Sequence, residues 1–142
     1  MVVLDTDVLS LLQSNKGEEC ANLQGRLATT PESVSVTIIT FEEQTRGWLA
    51  WIAKAKSLDE QVIRYRKLRL FLDDYKTRAV LDFDQASANR FQDLKRRKIR
   101  VGTMDLKIAA VALANQATLL SRNVRDYRKV PGLHVEDWTQ PQ

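Results

Sequence analysis

The sequence predicts an α/β fold: a single three-layer α/β/α domain with a central, mainly parallel five-stranded sheet and a helical hairpin beside it. Short apolar runs of strand length alternate with longer segments whose apolar residues recur at helical spacing, the pattern of units that build a parallel sheet with helices on both faces. In addition, the 142 residues, 44% hydrophobic and 28% charged, have the size and composition of one ordinary globular domain. A disordered chain, a collagen-like repeat and a coiled-coil rod are therefore disfavoured.

Val2-Val3-Leu4 reads as a buried parallel strand that delivers Asp5 to its carboxyl end. Asp7 is then the expected cap of a short helix over 8–13, and a second helix is expected over 18–28, stopped by Thr29-Thr30-Pro31. Val34-Ser35-Val36 reads as the second strand, after which the spacing turns helical from Ile38 through Trp48 and Ile52 to Ala55. From Leu58 onward Val62, Tyr65, Leu68, Leu72, Tyr75 and Ala79 recur at steps of three and four, marking the apolar face of a long helix. These two helices form the expected hairpin. The third strand is expected over 80–83, followed by a helix over 84–98 and another from Gly102-Thr103 to Gln116 with Asp105 in its first turn. Residues 118–121 form the fourth strand, and a basic loop leads to the fifth over 133–135. The domain is expected to span 1–138, with 139–142 as a loose tail.

With 22 Lys and Arg against 18 Asp and Glu, the net charge is +4, a mild bias toward anionic partners. Cys20 is the one cysteine, which excludes an internal disulfide and a Cys-based zinc site and makes a reducing cytoplasm the expected compartment. No segment reads as a leader or a membrane span, the longest apolar run being 108–114.

Asp5, Glu43, Asp105 and Asp126 each fall just after a strand or early in the helix that follows one, so a parallel sheet brings all four toward one edge. Carboxylates gathered in a cleft repel one another and resist ionisation unless a cation neutralises them. Oxygen donors, with only His134 beside them, point to Mg2+ or Mn2+ rather than zinc or copper. Each acid also has a plainer role open to it. Asp5 suits a turn or cap, Asp105 the positive end of its helix, and Asp126 an ion pair among Arg122, Arg125 and Arg128. Glu42 and Glu43 are adjacent and face different directions, so one of them at most enters a cleft. Two basic runs, 95–100 and 122–129, flank the acidic edge and suit phosphate groups, although a solvated helix end explains the first equally well. Trp48, Trp51 and Trp138 at helical or strand-end positions read as core before they read as stacking platforms, and His134 as a packed side chain.

Several stretches, taken in order, resemble the PIN-domain ribonucleases, most closely the VapC-type toxins of bacterial toxin–antitoxin pairs. They are Leu4-Asp5-Thr6-Asp7, the segment from Val36 through Glu43 to Gly47, Val101-Gly102-Thr103-Met104-Asp105 with Ile108-Ala109-Ala110, Leu120-Ser121-Arg122-Asn123-Val124-Arg125-Asp126-Tyr127, and Val130 to Trp138. The resemblance implies a PIN-like fold and a magnesium-dependent endoribonuclease that leaves a 5′-phosphate and a 3′-hydroxyl. It implies Asp5 and Asp105 as principal metal ligands, Glu43 as the third acid and Asp126 as the fourth. Thr6 and Ser121 match supporting hydroxyl positions. Asn123 matches a position that is acidic in some relatives, and Asp7 stands where the family usually has Asn. Arg100, Arg122 and Arg125 are the expected RNA contacts. A small VapB-like antitoxin and a second copy of the chain are the expected partners, and the helix over 58–79 offers a surface for one of them or belongs to the core. The same residues leave three other functions open: an RNA-maturation nuclease, a non-catalytic RNA-binding module on this fold, and a phosphatase, since Asp5-Thr6-Asp7 also resembles an Asp-x-Asp nucleophile pair.

Overall fold

The computed structural model describes all of residues 1–142. Its five strands are β1 (Val2–Leu4), β2 (Val34–Thr37), β3 (Ala79–Leu81), β4 (Thr118–Leu120) and β5 (His134–Glu136). They form one sheet in the order β3-β2-β1-β4-β5, and every neighbouring pair is parallel. The chain winds outward from β1 to β3, then returns to the other side of β1 for β4. That reversal leaves a crevice at the carboxyl ends of β1 and β4, the place where such sheets bind ligands.

Seven helices cover the sheet: α1 (Thr6–Ser14), α2 (Glu18–Thr29), α3 (Ile38–Ala53), α4 (Leu58–Tyr75), α5 (Gln85–Arg96), α6 (Thr103–Ala114) and α7 (Val124–Tyr127). Strand side chains alternate between two cores, one on each face of the sheet. Val3 and Leu119 point to the core shared with Leu94, Leu106, Ile108 and Tyr127. Val2, Leu4, Val36 and Leu120 point to the other, with Val8, Leu9, Leu23 and Phe71. The strands are therefore buried on both faces, as a parallel sheet between helical layers requires. Helix α6 lies deepest: Leu106 and every residue from Ile108 to Ala112 are buried.

The structure departs from the sequence pattern in several places. The cap of α1 is Asp5 rather than Asp7, its carboxylate accepting from the Val8 amide at 2.8 Å, so the helix begins earlier than expected. Helix α4 stops at Tyr75 because Lys76 closes it and Ala79 already pairs in β3. Its buried face is also rotated from the expected one. Phe71 and Tyr75 are buried against Phe41 and Trp48 of α3, with ring centroids 4.9–5.8 Å apart, whereas Val62, Tyr65 and Leu72 are exposed. The basic loop after β4 contains the short helix α7. At the C-terminus Thr139 is buried, its hydroxyl bonded to Asp137 and its carbonyl to Asn22, which leaves 140–142 as the exposed end. His134 sits on the edge strand with its side chain in solvent rather than packed.

Candidate active site

One cleft of about 450 Å³ opens at the carboxyl edge of the sheet, lined by Asp5, Thr6, Asp7, Glu43, Asp105, Arg122 and Asn123 and by no hydrophobic residue. Parallel strands place these residues together although they are scattered through the chain. Asp5 follows β1 directly, Arg122 and Asn123 follow β4, Glu43 comes from the second turn of α3 after β2, and Asp105 from the first turn of α6.

Asp5 is 5% exposed and holds one carboxylate oxygen against the Val8 amide. Cap and cleft residue are thus the same side chain, with its second oxygen uncommitted to the helix. Burial raises its pKa to about 6, assisted by the charges of Asp7 and Asp105 and opposed by the Ser121 hydroxyl and the Val8 amide. Asp105 is raised as well, by burial first and then by the charge of Asp126. The cleft therefore holds two carboxyls that resist ionisation on their own and would accept a nearby cation.

Glu43 is fixed by a chain of hydroxyls. Thr6 Oγ1 donates to Glu43 Oε1 at 2.6 Å, Thr6 and Thr40 hydroxyls lie 3.0 Å apart, and Thr37 Oγ1 donates to Thr40 Oγ1 at 3.5 Å. Each hydroxyl has one proton to give, so the relay runs in one direction, Thr37 to Thr40 to Thr6 to Glu43. Thr37 and Thr40 are fully buried and had no place in the sequence-based site. Their signal was the Thr-x-x-Thr at the start of α3, where the Thr37 hydroxyl also caps the helix by accepting from the Thr40 amide at 3.1 Å. Replacing Thr6 by Val keeps the shape and removes the donor. The expected result is a loss of activity of about tenfold to a hundredfold, the range seen when a ligand's supporting partner is removed. Thr6→Ser should retain most of the rate in the same assay. Glu42 points elsewhere, into an ion pair with Arg46 at 2.6 Å.

Tyr127 also escaped the sequence pattern. Its hydroxyl is buried without a hydrogen-bond partner, yet lies close enough to Asp105 that each shifts the other's acidity. Burial and the charges of Asp105 and Asp5 push the phenol strongly upward, so it stays protonated.

Of the other expected residues, Asp7, Arg122 and Asn123 line the cleft, whereas Asp126, Ser121, Arg100 and Arg125 lie outside its lining. Asp126 is bonded to Asn123 Nδ2 and to Lys129 Nζ, both at 3.1 Å, and these two contacts hold its carboxyl below the usual carboxylate range. Asn123 lines the cleft and Asp126 stands behind it. Arg122 is clamped by Asp7 through two bonds of 2.7 Å and by Glu19 at 2.6 Å, and these contacts hold its guanidinium firmly protonated. Asp7 is thereby committed to Arg122 rather than left free for Asp-x-Asp chemistry. Arg100 and Arg125 are exposed outside the cleft lining, and Ser121 is buried beneath it, accepting from the Asn123 amide at 2.8 Å.

The donor set suits a hard divalent cation. Its candidates, Asp5, Glu43 and Asp105, offer carboxylate oxygen, joined by the Asn123 amide, with no sulfur or imidazole in the cleft. No three of these acids lie close enough together to hold a metal ion by themselves. An open set of this kind fits magnesium, which keeps several of its waters when bound.

The family model for the PIN domain matches residues 2–133. Among similar proteins, the tRNA(fMet)-specific endonuclease VapC of Salmonella typhimurium is 27% identical over 136 residues, covering 96% of each chain. Among solved structures, VapBC-1 of nontypeable Haemophilus influenzae superposes with a TM-score of 0.73 at 22% identity, covering 99% of this chain and 100% of that one. A toxin–antitoxin complex from Klebsiella pneumoniae gives a TM-score of 0.61 at 23% identity, covering 97% and 98%.

Proposed function

The chain belongs to the PIN domain family, and from that membership and its acidic cleft we propose that it is a metal-dependent endoribonuclease, the toxin of a toxin–antitoxin pair. One observation carries the reading: Asp5, Glu43 and Asp105, drawn from three distant segments, line a single cleft that contains no apolar side chain. A scaffold without turnover has no need of a buried carboxyl whose pKa is held above the usual carboxylate range. The name carried by the Salmonella relative supports RNA as the substrate class.

Asp5, Glu43 and Asp105 would hold Mg2+, with Mn2+ as a substitute. When bound, such a cation supplies Lewis-acid stabilisation of phosphate charge and eases deprotonation of water. The chain's own part is positioning. The threonine relay aims Glu43, the Val8 amide fixes the rotamer of Asp5, and α6 carries Asp105 on a buried element. Hydrolysis in this sense adds water across the bond from phosphorus to the 3′ oxygen, leaving a 5′-phosphate and a 3′-hydroxyl. The direct test is incubation of the purified protein with total RNA in magnesium and in excess EDTA, followed by mapping of end chemistry. Cleavage that persists in EDTA, or ends bearing a 3′-phosphate, would remove the assignment.

The Klebsiella neighbour is a toxin–antitoxin complex, which supports a small VapB-like antitoxin as partner. On this chain a groove of about 590 Å³ between α1, α3 and α4 contains Trp48 and Trp51, and exposed Leu70 lines the hollow beside it with Trp48 and Lys67. An amphipathic helix of the antitoxin would cover such a groove. A second copy of the chain is the other expected partner, and light scattering of the isolated protein distinguishes monomer from dimer. No helix is long and apolar enough to cross a membrane.

A further inference from the structure

The two basic runs, separate in sequence, meet where Lys129 reaches the Arg100 carbonyl. Apart from Arg122, residues 95–100 and 122–129 hold eight Lys or Arg and a single acid, Asp126, so the rest of the chain is net negative. Three hydrogen bonds join this surface to the cleft. Asn123, in the cleft wall, donates to Asp126 at 3.1 Å, and Lys129 Nζ donates to Asp126 at 3.1 Å and to the Arg100 carbonyl at 3.4 Å. Arg100, Arg125 and Arg128 are exposed and make no salt bridge within the chain, leaving their guanidinium donors free. The surface rests on α5 and α6, packed together through Leu94 and Leu106.

The opposite rim has the reverse sign. Asp7, Glu18 and Glu19 cluster at the starts of α1 and α2, and the one arginine there, Arg122, is already held by Asp7 and Glu19. Arg122 therefore belongs to the acidic rim although its sequence neighbours belong to the basic one. A polyanion approaching the cleft meets attraction on one side and repulsion on the other.

We propose, resting on the nuclease reading, that RNA enters the cleft from the α5–α7 side alone, its backbone beyond the scissile phosphate lying along Arg100, Arg125 and Arg128. These arginines contact flanking phosphates and give affinity that grows with RNA length.

The test is RNA binding by fluorescence anisotropy in EDTA, which reads the surface whether or not the protein cleaves. In a variant carrying Arg100→Ser, Arg125→Ser and Arg128→Ser, affinity for an RNA of about two dozen nucleotides should fall at least about tenfold, with the slope of log affinity against log salt shallower by about two. Affinity for an RNA of about six nucleotides should fall by less than about threefold, because few flanking phosphates remain. The Lys counterparts at the same three positions should bind long RNA nearly as the parent does, which separates charge from folding. Arg66→Ser with Arg69→Ser on α4 is the control and should leave both affinities unchanged. The proposal is overturned by equal losses at both RNA lengths, by unchanged long-RNA affinity, by failure of the Lys variant in a folded protein, or by an equal loss in the α4 control.

Discussion

Asp5→Asn should abolish RNA cleavage while making the metal-free protein more stable. Asn caps a helix as well as Asp does, so the contact to the Val8 amide survives and α1 keeps its start. What disappears is a carboxylate for the cation and a charge that the fold holds at 5% exposure. The pKa of Asp5 rises from 3.8 to about 6 on folding. The native state thus retains a proton that the unfolded chain has lost across that interval. Native stability consequently falls as pH rises from about 4 to about 6 and is flat above, the opposite of the usual paired carboxylate. At pH 7 the full penalty of about 3 kcal/mol is present. Urea unfolding in EDTA should therefore show Asp5→Asn more stable than the parent by up to that amount at pH 7.5, with the difference vanishing near pH 4. Activity should drop by more than about a hundredfold, beyond the cost of losing a supporting contact. A variant that cleaves like the parent would dismiss Asp5 from the chemistry, and one that is less stable at pH 7.5 would show that the buried charge is compensated.

The second large effect lies in the core. Leu119 is fully buried at the middle of β4, paired with Val3 on one side and Val135 on the other, and points into the core beneath α6. Leu119→Ala removes three carbons from a position where neighbouring strands cannot close the gap, and should cost about 2–5 kcal/mol. Against a total stability of about 5–15 kcal/mol this is a large fraction. The urea midpoint should shift down with an unchanged slope, and a change in slope instead would mean that the native sheet itself has rearranged.

Much of this molecule was legible in its residues because a parallel sheet simplifies the problem. Once β1, β2 and β4 were recognised, all their carboxyl ends had to share one edge, and Asp5, Glu43 and Asp105 met there without any knowledge of loop geometry. The orientation of α4 was not legible. Leu58, Val62, Ile63, Tyr65, Leu68, Leu70, Phe71 and Leu72 spread apolar groups around the helix, so periodicity offers several faces of similar merit. The choice among them was made by Phe41 and Trp48 of another helix, contacts that a linear pattern does not contain. A four-residue helix such as α7 is shorter than the period that would reveal it. That is why Asp126 and Asn123 could not be ranked: the Ser121 hydroxyl holding the Asn123 amide turns one side chain into the cleft and the other toward Lys129. The Asp7–Arg122 pair, separated by 115 positions, was equally hidden, and it reassigns an arginine expected to meet RNA to the opposite rim.

The burial of α6 has a consequence for how the cleft ages and fluctuates. A helix whose middle residues, Leu106 and Ile108 to Ala112, are buried should open late, so the segment that follows Asp105 is expected among the last to exchange its amide protons. Asn123, on the linker before a single helical turn, sits at the fast-exchanging end of the same scale. Hydrogen exchange should therefore show the buried amides of α6 protected longer than that of Asn123, one wall of the cleft opening later than the other.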